Sequence, residues 1–181
     1  MLRVIKTDNK SVANKVFLRR KATEHLSSLH VLDLYAGKNV LWNNIETERY
    51  YGVELMPGKG VNLNADAKTA IISLDLSDFN VIDCDSFVIP FDMCKKLMRD
   101  NAVKSGTVIL YTAMTNIFTQ LPKVCIDALG INDMYKIAPS LFNLSAITFF
   151  YDMLANLGVK EINFYEVIDH YTKHYGYFIK P

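Results

Sequence analysis

His30-Val31-Leu32-Asp33-Leu34-Tyr35-Ala36-Gly37 is the stretch on which the fold turns. Its apolar positions run on without alternating, the pattern of a strand covered on both faces, and Gly37 closes it. The same grammar repeats outward from it. Tyr50-Tyr51-Gly52-Val53-Glu54-Leu55 reads as a second strand, followed by the turn Pro57-Gly58-Lys59-Gly60. Val61 to Ala65 reads as a short third strand, Asn80-Val81-Ile82-Asp83-Cys84-Asp85 as a fourth and Thr107 to Thr112 as a fifth. Asn39 to Ile45 has the look of the first turns of a helix, and Lys68 to Ile72 of a brief one. Pro90 stands at a helix start that Phe91 to Val103 continues and Gly106 ends. Two more helices fit residues 121–130 and 145–157. The second places Ile147, Phe150, Met153, Leu154 and Leu157 on one face, with Gly158 as its stop. Lys160 to Ile168 and His174 to Ile179, joined by a short turn, are expected to pair as an antiparallel hairpin.

Strands alternating with helices, then a hairpin, predict an α/β fold. The expected form is a three-layer α/β/α sandwich on a mostly parallel seven-stranded sheet with an antiparallel C-terminal hairpin. With no internal repeat and no Pro/Gly/Ser-rich linker, residues 1–181 read as one domain. A basic helix or arm over residues 1–28 precedes a doubly wound core over 29–181. Half of the chain is hydrophobic and 22% is charged, a balance that excludes a disordered or low-complexity class. Cys84, Cys94 and Cys125 are odd in number, lie in apolar surroundings and have no Cys/His cluster beside them. They read as reduced thiols of a cytoplasmic protein, with neither a disulfide framework nor a metal site expected. No run approaches 18 apolar residues and the N-terminus is polar, so neither a transmembrane helix nor a signal peptide is expected.

The net charge of +1 hides an asymmetry. Residues 1–30 hold seven Lys/Arg against two acids, a net +5, which leaves the rest of the chain at −4. A basic arm outside a mildly acidic body suits an anionic partner as well as it suits a solvated helix face.

In doubly wound sheets ligands bind at the carboxyl ends of the strands, so the polar residues there are the candidates. Gly37 lets the chain turn sharply beside a ligand. Asp33 can accept hydrogen bonds from a hydroxyl or ammonium. Glu54, 21 residues on, stands where an acid takes both hydroxyls of a ribose, and Asp66, in Asn64-Ala65-Asp66-Ala67, where one receives an adenine amino group. The order Asp-x-Tyr-Ala-Gly, then Glu after the second strand, then Asp after the third, resembles the class I S-adenosylmethionine-dependent methyltransferases over residues 30–181, and the terminal hairpin fits that fold too. The resemblance implies a Rossmann-like core and S-adenosyl-L-methionine as cofactor. It implies that Asp33, Tyr35, Ala36, Gly37 and Asn39 hold the methionine part, Glu54 the ribose, and Asp66 and Ala67 the adenine end. Asn39 stands where the family often has a further glycine, and Asn is among the residues that can take the left-handed conformation.

Asp83-Cys84-Asp85-Ser86-Phe87, then Ile89-Pro90-Phe91, is similar to the Asp-x-Asp-Pro-Phe-Gly motif of tRNA guanine-N2 methyltransferases, with Ser86 for the proline and Val88 for the glycine. That likeness implies Asp83 or Asp85 as acceptor for a base amino group and Phe87 as the ring on which the base stacks. RNA then becomes the expected partner, with residues 1–28 on its phosphates. A protein partner or a homo-oligomer would supply target recognition that one small domain lacks. The chain also resembles short phage and bacterial proteins of this kind.

Other readings stay open. A nicotinamide dehydrogenase shares the Asp33–Glu54 spacing but needs G-x-G-x-x-G, of which only Gly37 is present. Asp-x-Asp after an apolar strand also occurs in haloacid-dehalogenase-like phosphatases and in lesion-bypass polymerases, near their N-termini. A catalytically silent methyltransferase-like module that binds nucleic acid or protein is the reading from a different class. His25, His30, His170 and His174 show no ligand spacing, Lys38 is a loop lysine, Trp42 suits helix–sheet packing, and Thr112 to Asn116 are expected to border the pocket.

Overall fold

The structure, a computed structural model, describes residues 11–58, 60–86, 89–115, 120–121, 123–168 and 172–181. In chain order its regular elements are α1 (Val12–Thr23), β1 (His30–Asp33), β2 (Arg49–Glu54), β3 (Leu63–Asn64), α2 (Ala67–Ser73), β4 (Val81–Cys84), α3 (Phe91–Arg99), β5 (Val108–Thr115), α4 (Lys123–Leu129), α5 (Asn132–Ile137), α6 (Pro139–Leu144), α7 (Ala146–Asn156), β6 (Ile162–Ile168) and β7 (Thr172–Ile179). The seven strands form one mixed sheet in the order β3-β2-β1-β4-β5-β7-β6. β1 to β5 are parallel, and β7 runs antiparallel between β5 and β6, so the expected terminal hairpin is present.

Burial on both faces is why the central strands lack alternation. Leu32, Ile82 and Ile109 face one apolar cluster with residues of α2, α3 and α7, while Val31, Val81 and Val108 face a second with Leu18 and Ala22 of α1. Helices thus cover both faces unequally: α2, α3 and α7 on one, α1 on the other. The expected position of residues 1–28 as an arm outside the fold is corrected here for the described part. α1 packs on β5 and β7, and Leu18 and Ala22 are core residues. Residues 1–10 lie outside the described residues.

Several boundaries differ from the sequence reading, each for a local reason. The helix expected over Asn39–Ile45 is only a single tight turn, Trp42–Asn44. Its asparagines bond locally instead, Asn39 to Asn43 at 3.0 Å and Asn44 to the Val40 carbonyl at 2.6 Å, which competes with helical bonding. α3 stops at Arg99 rather than Val103 because Asp100 is extended and its carboxylate accepts from the Ala102 N–H at 2.9 Å. The third strand shrinks to Leu63–Asn64, and the last begins at Thr172 rather than His174. α5 and α6 are not foreseen. They leave Met134, Ile137 and Leu141 exposed, and α5 buries no described residue, so no buried stripe announces them.

Two contacts lock the C-terminal strands. Gly176 of β7 lies under the ring of Tyr111 of β5: a Cβ there would meet the Tyr111 Oη at 2.3 Å. The missing side chain lets Tyr111 reach across β7 and donate to the Tyr151 hydroxyl at 3.3 Å. Lys180, just beyond β7, donates its ammonium to the carbonyls of Leu97 (3.3 Å), Asp100 and Val103 (2.7 Å). It thereby satisfies carbonyls at the C-terminal end of α3, the pole that favours a cation. Among the described residues no helix is long and apolar enough to cross a membrane.

Lys180→Met should lower stability by about 2 kcal/mol, the range for hydrogen bonds made by a charged donor. Chemical denaturation reads this as a lower midpoint, and an unchanged midpoint would remove Lys180 from the support of α3.

Candidate functional site

The carboxyl ends of β1 to β5 open onto one cavity of about 440 Å³, a volume within the usual range for small-molecule sites. Of the residues anticipated from sequence, Tyr35, Ala36, Gly37, Glu54, Asp66, Ala67 and Asp85 line it. Asn39 does not line it, Asp33 and Asp83 lie beneath it, and Phe87 is outside the described residues.

The loop after β1 is shaped by two left-handed residues, Gly37 (φ +54°) and Asn39 (φ +52°). Two further glycines pack beside this loop. Gly60 (φ +78°) packs against Asn39, where a Cβ would lie 2.6 Å from the Asn39 Cβ. Gly52 in turn gives way to the Gly60 carbonyl, which would stand 2.2 Å from a Cβ at residue 52. Close approach is therefore provided by glycines in and after β2, with Asn39 as the side chain they admit. Glu54, at the end of β2, ties this loop down: its Oε2 accepts from the Gly37 N–H at 2.9 Å and its Oε1 from the Leu55 N–H at 2.8 Å. A carboxylate oxygen carries two lone pairs, so both remain able to accept from a ligand diol. Asp66 caps α2 through Lys68 N–H at 2.9 Å, using Oδ1.

Asp33 and Asp83 face the other way. They are register partners on β1 and β4, and they share the strand face of Val31 and Val81, which looks onto α1. Both are buried there, at 4% and 1% exposure, which separates them from the ligand cavity. Arg19 of α1 donates from Nε to Asp83 Oδ2 at 2.7 Å, and the same oxygen accepts from Trp42 Nε1 at 2.8 Å. Asp33 accepts from the Tyr35 N–H at 3.2 Å and the Tyr50 hydroxyl at 3.1 Å. Burial, reinforced by the Asp83 charge and opposed by Arg19, pushes the Asp33 carboxyl up to about 8. Burial likewise raises the Asp83 carboxyl, against the pull of the Arg19 charge and the Trp42 and Arg19 hydrogen bonds, so the two acids share the one guanidinium.

Asp85 lies beyond the end of β4 and reaches the cavity. Lys15, one helical turn before Arg19, donates to both of its oxygens at 2.7 and 2.6 Å. Arg19 adds a bond at 3.3 Å, and Thr112 of β5 donates its hydroxyl. Burial works to raise the Asp85 carboxyl, but Lys15 and Arg19 outweigh it and hold it below the usual carboxylate range. Asp85 is thus ionised at neutral pH. Asp83 and Asp85 are already engaged by Arg19 and Lys15, which leaves no open carboxylate pair of the kind a phosphatase uses for magnesium.

Sequence reasoning missed Lys15, Arg19 and Lys173 as cavity or site residues. The available signal was the i, i+4 spacing of Lys15 and Arg19 on a helix. Trp42 does serve packing, but its indole N–H also holds Asp83. His174 is buried on β7, His25 is exposed, His30 meets the Asp78 carbonyl at 3.2 Å, and His170 lies outside the described residues. Thr112 and Met114 border the cavity as anticipated, while Asn116 is outside the described residues.

No family model matches this sequence, and no curated protein does. Solved structures do resemble it. A possible exported protein from Bordetella parapertussis superposes with a TM-score of 0.54 at 14% identity, covering 93% of this chain and 67% of that one. EvdMO1 gives 0.51 at 13% identity, over 99% of this chain and 43% of that one. The N-terminal domain of EvdMO1, solved in the presence of SAH and D-fucose, gives 0.52 at 15%, over 99% of this chain and 88% of that one. At these identities the likeness establishes a shared fold.

A carboxyl whose pKa is raised by folding binds a proton in the native state that the unfolded chain has lost. Its contribution to stability is therefore complete below about pH 4 and falls as pH rises toward 8. Asp33→Asn keeps the acceptor and removes this titration. Thermal unfolding between pH 6 and 9 should fall more steeply for the wild type than for Asp33→Asn. Parallel curves would show that Asp33 is ionised throughout.

Proposed function

We propose that the chain is an S-adenosyl-L-methionine-dependent methyltransferase whose cofactor occupies the cavity at the ends of β1 to β4. The observation that carries this reading is the convergence of Gly37, Glu54, Asp66 and Asp85, from four successive parallel strands, on one cavity. The likeness in fold to a domain solved with SAH supports it.

The residues present fit such a group. It bears a sulfonium, an ammonium, a carboxylate, a ribose diol and an adenine. The cavity offers both signs of charge at its β1–β3 side, with Glu54 and Asp66 against Lys38, and apolar cover from Tyr35, Val40, Leu41 and Leu55. Glu54 would take the ribose hydroxyls on the lone pairs not used by Gly37 and Leu55. Asp66 would take the adenine amino group on the oxygen not used to cap α2. The turn at Gly37 brings backbone close to the methionine part without a Cβ in the way. When bound, the cofactor supplies an electrophilic methyl on its sulfonium.

What this chain does for the transfer is positioning. Asp85 sits at the acceptor end, kept ionised by Lys15 and Arg19, and acts on the incoming nucleophile by its charge. Asp83 supports it from below as the anchor for Arg19. Asp33 holds the loop through the Tyr35 N–H and plays no direct part in binding. The acceptor reading depends on the charge of this end of the cavity, treated below.

Isothermal titration with S-adenosylhomocysteine should give saturable binding, weakened at least tenfold in Glu54→Ala, about the loss of one charged hydrogen bond. No heat at high micromolar ligand would reject the cofactor, and equal affinities would remove Glu54 from the site.

A further inference from the structure

The cavity divides its charge along its length. Glu54 and Asp66 stand at the β2 and β3 end, while Lys15 and Thr112 hold Asp85 at the β4 and β5 end, which Lys173 lines from β7. Asp85 is heavily engaged there, by two bonds from Lys15, one from Arg19 and one from the Thr112 hydroxyl. An acceptor that offered N–H donors to it would compete with an ion pair already formed at 2.6 Å. The neighbouring cations are differently placed. An ammonium has three protons, and the Lys15 ammonium, held over the Tyr175 ring at 5.2 Å, is fixed by α1 at the cavity wall. Lys173, in register with Met114 of β5 and Val167 of β6, reaches the same wall and has no partner among the described residues. Arg19 is paired with Asp83 and Lys15 with Asp85, so Lys173 is the cation at this concave end that no carboxylate engages among the described residues. Such a cation favours an anion.

We propose that Lys173, assisted by Lys15, seats an anionic group of the methyl acceptor, a phosphate or a carboxylate, at the β5–β7 end of the cavity. This rests on the cofactor reading of the same cavity, since the cofactor would fill the β1–β4 part and leave the β5–β7 end for the acceptor. A nucleic acid or nucleotide would supply the group as phosphate, and a small metabolite as either.

The test uses the full chain, with and without S-adenosylhomocysteine, titrated with inorganic phosphate, cytidine 5′-monophosphate, succinate and a short single-stranded RNA. Cytidine is the uncharged control. At least one anionic probe should bind with cytidine silent, and its affinity should fall about tenfold or more in Lys173→Gln while Lys173→Arg retains it. S-adenosylhomocysteine affinity and melting temperature should be unchanged in Lys173→Gln, which separates this site from the cofactor's. Which probe binds best identifies the source of the anion. The proposal falls if no anion binds the wild type, if cytidine binds as well as its monophosphate, or if Lys173→Gln binds anions like the wild type. Failure of S-adenosylhomocysteine to bind in the same experiment would reject the cofactor reading by itself.

Discussion

Arg19 is the residue on which the rest of the site depends. One guanidinium, 3% exposed, holds Asp83 at the end of β4, touches Asp85 at the cavity wall and stacks near the Trp42 ring at 5.8 Å. Two carboxylates on adjacent strands could not both be buried and ionised beside a single cation without a large penalty. Burial and the Asp83 charge accordingly push the Asp33 carboxyl upward, which eases that penalty. That arrangement joins α1, the turn after β1 and the ends of β1 and β4 into one unit. It also brings Lys15, a turn earlier on the same helix, to the cavity.

The consequence for chemistry is a division of labour among acids that look alike in sequence. Asp33 and Asp83 are structural and lie under the sheet ends. Glu54 and Asp66 are partly exposed, each with a lone pair left over, and suit a nucleoside. Asp85 is ionised and pinned, which suits orientation of an acceptor and not removal of its proton. In the described part of the basic N-terminal helix, Lys15 and Arg19 turn inward, Lys21 is paired with Glu24 and Arg20 reaches the Asn44 carbonyl. Its positive charge therefore serves the cavity first.

The sheet was legible because strands covered on both faces leave continuous apolar runs, as Val31-Leu32 and Val81-Ile82 do. The antiparallel β6–β7 pair and the positions of Gly37, Glu54 and Asp66 followed from the same reading. The orientation of the acids did not, although parity along the strand carried it: Val31 and Asp33 share a face, as do Val81 and Asp83, and that face belongs to α1. α5 and α6 escaped because helices that bury little show no stripe. The helix expected after β1 gave way to a short turn because Asn39 bonds Asn43 and Asn44 bonds the Val40 carbonyl locally.

The most direct measurement is a crystal structure of the chain grown with S-adenosylhomocysteine. The predicted result is ligand density in the cavity at the β1 to β4 ends, with the ribose hydroxyls within hydrogen-bonding distance of Glu54 and the adenine amino group beside Asp66. An empty cavity at saturating ligand, or a nucleoside seated away from both acids, would contradict it.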